Sequence, residues 1–258
     1  MKKIDFRFAL PNLITLLGLC LGLNALKLAI QGNFEKSLIF LVLASIIDAL
    51  DGRIARLLKG TSKFGAELDS LADFVNFGVC PGVIIYFWTL QNQPIIGWTI
   101  SLFFIVSCCL RLARFNISSE LTSKDSWRSN FFTGVPSPAG AGIALMPMIL
   151  SYSEFHFQFD KFLISSTFLI ISSFLMISKI PTYAFKTLKL SKSVFVILAL
   201  LFVIIFMMLF YKTFEALTII IIVYLSTIPI SFIHFLKLKK NKSKKNVNSD
   251  SLISDEII

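Results

Sequence analysis

The chain has 258 residues, of which 55% are hydrophobic and only 16% are charged, and its mean hydropathy is +0.78. Soluble domains carry roughly 25% charged residues, so this composition excludes an ordinary soluble domain and favours a protein dissolved in the bilayer. The formal net charge is +10. Because the basic residues are divided among short segments, we predict contact with anionic membrane lipids and no nucleic-acid partner.

Long apolar runs follow one another along the chain. A helix needs about 20 mostly apolar residues to cross the hydrocarbon layer, and continuous runs without period-two alternation favour helices over strands. We therefore predict an all-α integral membrane protein, a bundle of about eight transmembrane helices. The predicted spans are residues 13–30, 37–58, 65–90, 94–113, 138–153, 162–180, 194–211 and 214–236.

Lysine and arginine are distributed unevenly among the connecting segments. The segments before the first span and after the second, fourth, sixth and eighth are basic, whereas the alternate segments contain little beyond Lys36, Lys161 and Lys212. Cytoplasmic segments are enriched in these residues, so we expect both termini in the cytoplasm. We predict one polytopic domain over residues 1–236. Residues 237–258, which turn from basic to acidic, are predicted to form a disordered cytoplasmic tail.

Four aspartates lie at the facing ends of the second and third predicted helices. Asp48 and Asp51 are three residues apart, and Asp69 and Asp73 are four apart, so the members of each pair share a helix face. A short basic turn joins the helices and brings both pairs to the cytoplasmic end. Ionisable side chains in membrane helices are costly and mark functional sites. The alternative is that the acids are merely solvated where two helices emerge into water.

Carboxylates that converge in this way repel one another unless they take up protons or bind cations. An all-oxygen ligand set without nearby histidine or cysteine selects hard ions, so we predict Mg²⁺ or Mn²⁺ and disfavour zinc. Two ions bridged by shared carboxylates would suit a displacement at phosphorus. The residues therefore indicate phosphate chemistry.

Small and basic residues lie between the two aspartate pairs. Gly52 and Ala55 leave room for a base or ribose beside the backbone, Arg56 can bind phosphate, and Gly65 allows a second close approach. The plainer interpretations are helix packing for the small residues and cytoplasmic anchoring for the arginine. Ser62, in the turn, is either a helix N-cap or a hydrogen-bond donor to phosphate.

At these residues the chain resembles the CDP-alcohol phosphatidyltransferases, whose signature is D-x2-D-G-x2-A-R-x8-G-x3-D-x3-D. The signature is met without departure by Asp48, Asp51, Gly52, Ala55, Arg56, Gly65, Asp69 and Asp73. The resemblance implies a homodimeric membrane enzyme that displaces CMP from a CDP-linked alcohol with a second alcohol. It implies that the four aspartates bind metal, that Asp73 is also the general base, and that Gly52, Arg56 and Ser62 contact the CDP moiety.

Further segments resemble one branch of this family, the bacterial membrane-bound phosphatidylserine synthases. They cover most of residues 8–142 and read LPNLITLLGLCLGLNAL, DSLADFVNFGVCPG, RLARFN and FFTGVPSPAGAG. This resemblance implies CDP-diacylglycerol and L-serine as substrates, phosphatidylserine and CMP as products, and an active site on the cytoplasmic face of the cell's inner membrane.

Four residues in these segments are candidates for binding the acceptor alcohol. Arg111 and Arg114 lie about one helical turn apart and could bind the serine carboxylate bidentately. Arginine binds the phosphate of glycerol 3-phosphate equally well, and both arginines could simply anchor the helix. Asn116 could bind the serine ammonium or cap a loop, and Ser137 lies between two prolines that disfavour helix.

Two other functions compete with phosphatidylserine synthesis. A phosphatidylglycerophosphate synthase would use glycerol 3-phosphate as acceptor, but RLARFN and PSPAG are poor matches to that branch. A cation transporter would use buried aspartates as an ion path. Transporter acids lie near the bilayer midplane on broken helices, whereas these aspartates cluster at one predicted membrane end beside arginines.

Overall fold

The computed structural model describes residues 6–120, 131–154, 160–183 and 192–255. In these ranges the chain forms nine α-helices and two short strands. The helices are α1 (Phe6–Ile30), α2 (Phe34–Leu57), α3 (Lys63–Phe74), α4 (Cys80–Trp88), α5 (Pro94–Glu120), α6 (Ser137–Tyr152), α7 (Lys161–Ile177), α8 (Lys192–Tyr211) and α9 (Thr213–Asp255). The strands are β1 (Phe131–Thr133) and β2 (Pro181–Tyr183).

The predicted apolar runs coincide with these helices. The third run comprises α3, a π-helical segment at Val75–Val79, and α4, followed by a 3₁₀ turn at Leu90–Asn92. Within the described ranges, four helical segments are long and apolar enough to cross a membrane, namely Arg7–Ile30, Lys63–Trp88, Pro94–Ile117 and Thr213–Leu238. The predicted helical membrane protein is confirmed at this level, and the number of eight spans stays a prediction.

The last helix is longer than the last predicted span. α9 continues to Asp255 and so includes residues 237–255, for which the sequence predicts a disordered tail. The division of the chain at residue 236 stays a prediction.

The two strands were not anticipated from the sequence. They pair antiparallel, with Phe132 opposite Thr182, and Gly134 adopts a positive φ of 83° just before α6. Pro136 is extended and caps α6, whereas Ser137 and Pro138 belong to the first turn of that helix. Helix is therefore interrupted at Pro136 but not at Ser137. The pairing supplies backbone partners to the chain on either side of α6 and α7. β2 also contacts α9, where the hydroxyl of Ser231 donates to the Pro181 carbonyl at 2.8 Å.

α6 forms the centre of the bundle and packs against α4, α5, α7 and α9. Its side chains Ile143, Ala144 and Met148 are fully or almost fully buried. α8 packs on α9 and exposes large apolar side chains such as Leu200 and Phe210. Exposed apolar surface of this kind is expected of a helix that contacts lipid.

The two ends of the bundle differ in their polar contacts. At one end, Lys212 donates to a Glu154 carboxylate oxygen at 2.6 Å, and the Lys161 ammonium lies 5.6 Å from the centre of the Trp88 ring. The hydrogen bond and charge of Glu154 raise the pKa of Lys212 above its ordinary value. The other end holds the end of α2, the start of α3, the end of α5 and the strand pair, and it contains the aspartates.

The contact between α5 and the 3₁₀ turn generates a stability prediction. A Cβ at Gly97 would overlap the Leu90 carbonyl oxygen and lie 2.8 Å from the Leu90 Cβ. Overpacking costs about 1–3 kcal/mol, so Gly97→Ala should lower the Tm in detergent by roughly 2–10 °C. Gly142→Ala is the matched control, because its Cβ would lie at an ordinary 3.5 Å from Ile221. Equal Tm values for the two variants would contradict this packing.

Candidate metal centre and its cavity

A short turn brings the two aspartate pairs towards each other. Lys59 adopts a left-handed φ of 52°, and the Gly60 amide donates to the Ala55 carbonyl at 2.9 Å, which ends α2. Ser62 then caps α3, its hydroxyl oxygen accepting from the Gly65 amide at 3.0 Å. The N-cap alternative for Ser62 is confirmed. The turn therefore reverses the chain between Asp51 and Asp69 and fixes where α3 begins.

The structure brings the four aspartates together. Carboxylate oxygens of Asp48, Asp51 and Asp69 lie within 4.8 Å of one another. The carboxyl of Asp73 lies within hydrogen-bonding reach of Asp48. The backbones of α2 and α3 make little direct contact, whereas α1 packs along α2 and also contacts α3. The predicted convergence is thus confirmed, but α1 holds the two helices together.

The aspartates fit a hard divalent cation. Asp51 Oδ1 and Asp73 Oδ1 are buried and find no hydrogen-bond partner among the described residues. A buried carboxylate oxygen without a partner is costly, and a bound cation would supply a partner to both oxygens. The three clustered ligands that the described residues supply are all carboxylates, which suits Mg²⁺ or Mn²⁺ better than zinc.

A cavity of about 290 Å³ opens beside the aspartates. It is bounded by α1, the end of α2, the connecting turn and the start of α3. Its lining includes every residue for which the sequence predicts CDP contact, namely Gly52, Ala55, Arg56, Ser62 and Gly65, together with Asp51 and Asp69. A Cβ at Gly52 would meet no atom within 4 Å. Glycine there leaves the backbone of α2 open to the cavity.

The α1 wall of the cavity was missed by the sequence analysis. Pro11, Asn12 and Thr15 line it, and a Cβ at Gly65 would lie 2.9 Å from Asn12 Oδ1. A side chain at position 65 would therefore displace the Asn12 amide. The segment LPNLITL contributed to the family resemblance, but nothing in its spacing relates it to the aspartates.

Arg111 lies beside the aspartate cluster. Its side chain is 7% exposed, its Nε donates to the Val135 carbonyl at 2.8 Å, and its Nη1 donates to Ser137 Oγ at 3.3 Å. Its charge interacts with that of Asp73. Arg111 and Ser137 therefore lie together on the α5–α6 side of the aspartates. A buried arginine in this place is not a surface anchor for lipid headgroups.

Arg114 is engaged in the fold. Its Nη1 donates to the Ile177 carbonyl at 2.6 Å. Its Nη2 lies within 3.1 Å of the carbonyl oxygens of Thr133, Met176 and Ser178. The last carbonyls of a helix have no intrahelical partner, and Arg114 supplies partners at the end of α7. The predicted contact of this arginine with an acceptor carboxylate therefore competes with several backbone hydrogen bonds.

Asn116 connects α5 to α3, the helix that carries Asp69 and Asp73. Its Nδ2 donates to Ser70 Oγ at 2.9 Å, and the same hydroxyl lies 3.1 Å from Asn116 Oδ1. Ser70 follows Asp69 directly, so Asn116 lies next to the cluster. Its predicted contact with the acceptor ammonium stays a prediction.

Comparison with known proteins agrees with this site. The sequence profile of the CDP-alcohol phosphatidyltransferase family matches residues 8–178, which contain the four aspartates and the whole lining of the cavity. This chain belongs to the CDP-alcohol phosphatidyltransferase family. The resemblance found in the aspartate signature is thereby confirmed, and α8 and α9 lie outside the matched residues.

Several curated relatives carry the name CDP-diacylglycerol–serine O-phosphatidyltransferase. The protein of Mycobacterium tuberculosis strain H37Rv is 40% identical over 147 residues, 56% of this chain and 51% of the relative. That of Helicobacter pylori strain J99 is 40% identical over 150 residues, 58% of this chain and 61% of the relative. That of Bacillus subtilis strain 168 is 34% identical over 145 residues, with 56% and 77% covered. The chain thus spans about half to three fifths of the first two relatives.

The carbonyl contacts of Arg114 generate a second prediction. Lysine has no planar fork of donors, so Arg114→Lys should leave some of these partly buried carbonyls without a donor and lower the Tm by a few degrees. Arg53→Lys, a change at an exposed arginine of α2, is the control and should leave the Tm unchanged. An unchanged Tm for Arg114→Lys, with a raised KM for the acceptor, would instead assign Arg114 to acceptor binding.

Proposed function

We propose that this protein transfers the phosphatidyl group of CDP-diacylglycerol to L-serine and releases phosphatidylserine and CMP. The observation that carries the proposal is the aspartate cluster beside a 290 Å³ cavity, in a chain of the CDP-alcohol phosphatidyltransferase family. The shared name of the relatives supports CDP-diacylglycerol and serine as the substrates.

We propose that Asp48, Asp51, Asp69 and Asp73 hold two ions, Mg²⁺ or Mn²⁺. Ions bound there would neutralise charge on the phosphate oxygens of the donor. The unpartnered buried oxygens of Asp51 and Asp73 support this assignment. So does the absence of any histidine or cysteine from the clustered ligands among the described residues.

The cavity is the proposed site for the CDP moiety. Gly52 and Ala55 would leave the backbone of α2 accessible to the ribose or base, and the guanidinium of Arg56, which lines the cavity, would bind a phosphate. Ser62 caps α3 through its oxygen, so its hydroxyl hydrogen remains available to donate to a phosphate oxygen. Gly65 keeps the start of α3 close to α1.

The acceptor would approach from the α5–α6 side. Arg111 is the proposed partner of the serine carboxylate, with Ser137 and Asn116 nearby, while Asp73 accepts the proton of the serine hydroxyl. The serine oxygen forms a bond to the lipid-side phosphorus, and the bond from that phosphorus to the CMP oxygen breaks. CMP leaves with its phosphate, and the phosphatidyl group remains on serine.

The proposed orientation has eight spans, both termini in the cytoplasm and the aspartate end at the cytoplasmic face of the inner membrane. Arg53, Lys59 and Lys63, which surround the turn at this end, support it through the enrichment of basic residues in cytoplasmic segments. Leu57 and Phe64 are 81% and 69% exposed next to the cavity, which suits lateral entry of acyl chains. The homodimer implied by the family resemblance is also a proposal.

An assay of acceptor use tests the proposed function. Purified protein, CDP-diacylglycerol, labelled serine and Mn²⁺ should give equal amounts of CMP and phosphatidylserine, and a chelator should abolish both until Mn²⁺ is restored. Glycerol 3-phosphate and inositol serve as competing acceptors. CMP release only with one of these would keep the family reaction and reject serine. Metal flux into vesicles without CMP release would instead identify a transporter.

Conservative changes of the aspartates test the site. Asp73→Asn removes the proposed base and should lower turnover on the order of 10²–10⁴-fold, and Asp69→Asn should remove Mn²⁺-dependent turnover, both without unfolding. Asp160→Asn is the matched control, because Asp160 only caps α7 by accepting from the Phe162 amide at 2.9 Å, which asparagine can also do. Full turnover in either site variant would overturn the role proposed for that aspartate.

A further inference from the structure

α1 packs against α2 and α3, the helices that carry the aspartates, through one face of small residues. Thr15, Gly18 and Gly22 are three and four residues apart and so lie on one side of the helix. A Cβ at Gly18 would lie 3.3 Å from the Ile47 side chain of α2, and a Cβ at Gly22 would overlap the Asn76 side chain of the π-helical segment. Because the glycines bring the backbones close, even a short side chain at position 15 reaches the site.

The hydroxyl of Thr15 binds one oxygen of Asp51. Thr15 is 6% exposed and Asp51 is 3% exposed. Thr15 Oγ1 donates to Asp51 Oδ2 at 2.7 Å and lies 3.1 Å from the Pro11 carbonyl in the preceding turn of α1. The second Asp51 oxygen, Oδ1, is buried and has no partner among the described residues. One oxygen of this carboxylate is therefore held by protein, and the other is available to a cation.

We propose that Thr15 is a positioning residue that fixes the Asp51 carboxylate for metal binding. The inference rests on the metal site of the proposed function. Carboxylates that bind metal are themselves hydrogen-bonded, and loss of such a partner costs about 10–100-fold in affinity. The hydrogen bond from Thr15 to Oδ2 restricts rotation of the Asp51 carboxylate and leaves Oδ1 available to a metal ion. The metal site then depends on the first helix, which lies outside the aspartate signature.

Direct measurement of Mn²⁺ affinity tests this role without relying on turnover. Thr15→Val removes the hydroxyl at nearly constant shape, and Thr15→Ser retains it. The matched control is Thr218→Val in α9, since Thr218 is 2% exposed and donates to the Phe214 carbonyl at 2.8 Å. Calorimetric titration of the full chain in detergent should show a Kd raised by about 10–100-fold for Thr15→Val. Thr15→Ser and Thr218→Val should resemble wild type.

Each outcome separates the inference from the function on which it rests. Wild-type protein that fails to bind Mn²⁺ would reject the metal site itself. Equal Mn²⁺ affinity in wild type and Thr15→Val would reject the role of Thr15 and leave the proposed function standing. If Thr15→Val does not fold, Thr15→Ala replaces it and is held to the same comparison. In the CMP assay, loss of the hydroxyl should raise the Mn²⁺ concentration for half-maximal rate and leave the KM for serine unchanged.

Discussion

The mutual repulsion of four carboxylates in one end of a membrane bundle is the constraint on which the site depends. Asp51 is buried and Asp48 and Asp73 are half-buried, which limits the water that would screen these charges. Asp51 and Asp73 each retain a buried oxygen without a protein partner among the described residues. Two neighbouring side chains offset part of this cost. Thr15 donates to Asp51, and Arg111 brings a positive charge near Asp73. A divalent cation is the remaining counter-charge that this geometry accommodates.

The π-helical segment links this polar end to the apolar core. It begins directly after the helix that carries Asp69 and Asp73, and π-helical turns within α-helices are frequent at functional sites. Beyond it, the thiol of Cys80 donates to the Gly22 carbonyl at 3.3 Å, so the continuation of the same run packs against α1. The wider turn changes the helix register between the two parts. One continuous run can thus present Asp69 to the cavity and Asn76 and Cys80 to α1.

The spacing of residues in the sequence predicted those features that lie within one helix or within two helices joined by a short turn. The spacings of three and four residues place the aspartates of each pair on one helix face, and the turn brings the pairs together. The cluster was therefore predicted from the sequence, and so were five of the residues that line the cavity beside it. The α1 wall was missed because only tertiary packing relates Thr15 to Asp51, 36 residues away. The strand pair was missed for the same reason, since residues 131–133 find their partners beyond two further helices.

The different surroundings of the two arginines bear on the acceptor. The sequence does not distinguish Arg111 from Arg114, yet Arg114 binds carbonyls at the end of α7, whereas Arg111 lies within electrostatic range of Asp73. The charge of one arginine balances one carboxylate. Of the two arginines, Arg111 is therefore the stronger candidate to bind the acid group of the proposed acceptor. A guanidinium binds a carboxylate or a phosphate, so the choice between serine and glycerol 3-phosphate depends on the other residues that surround the acceptor.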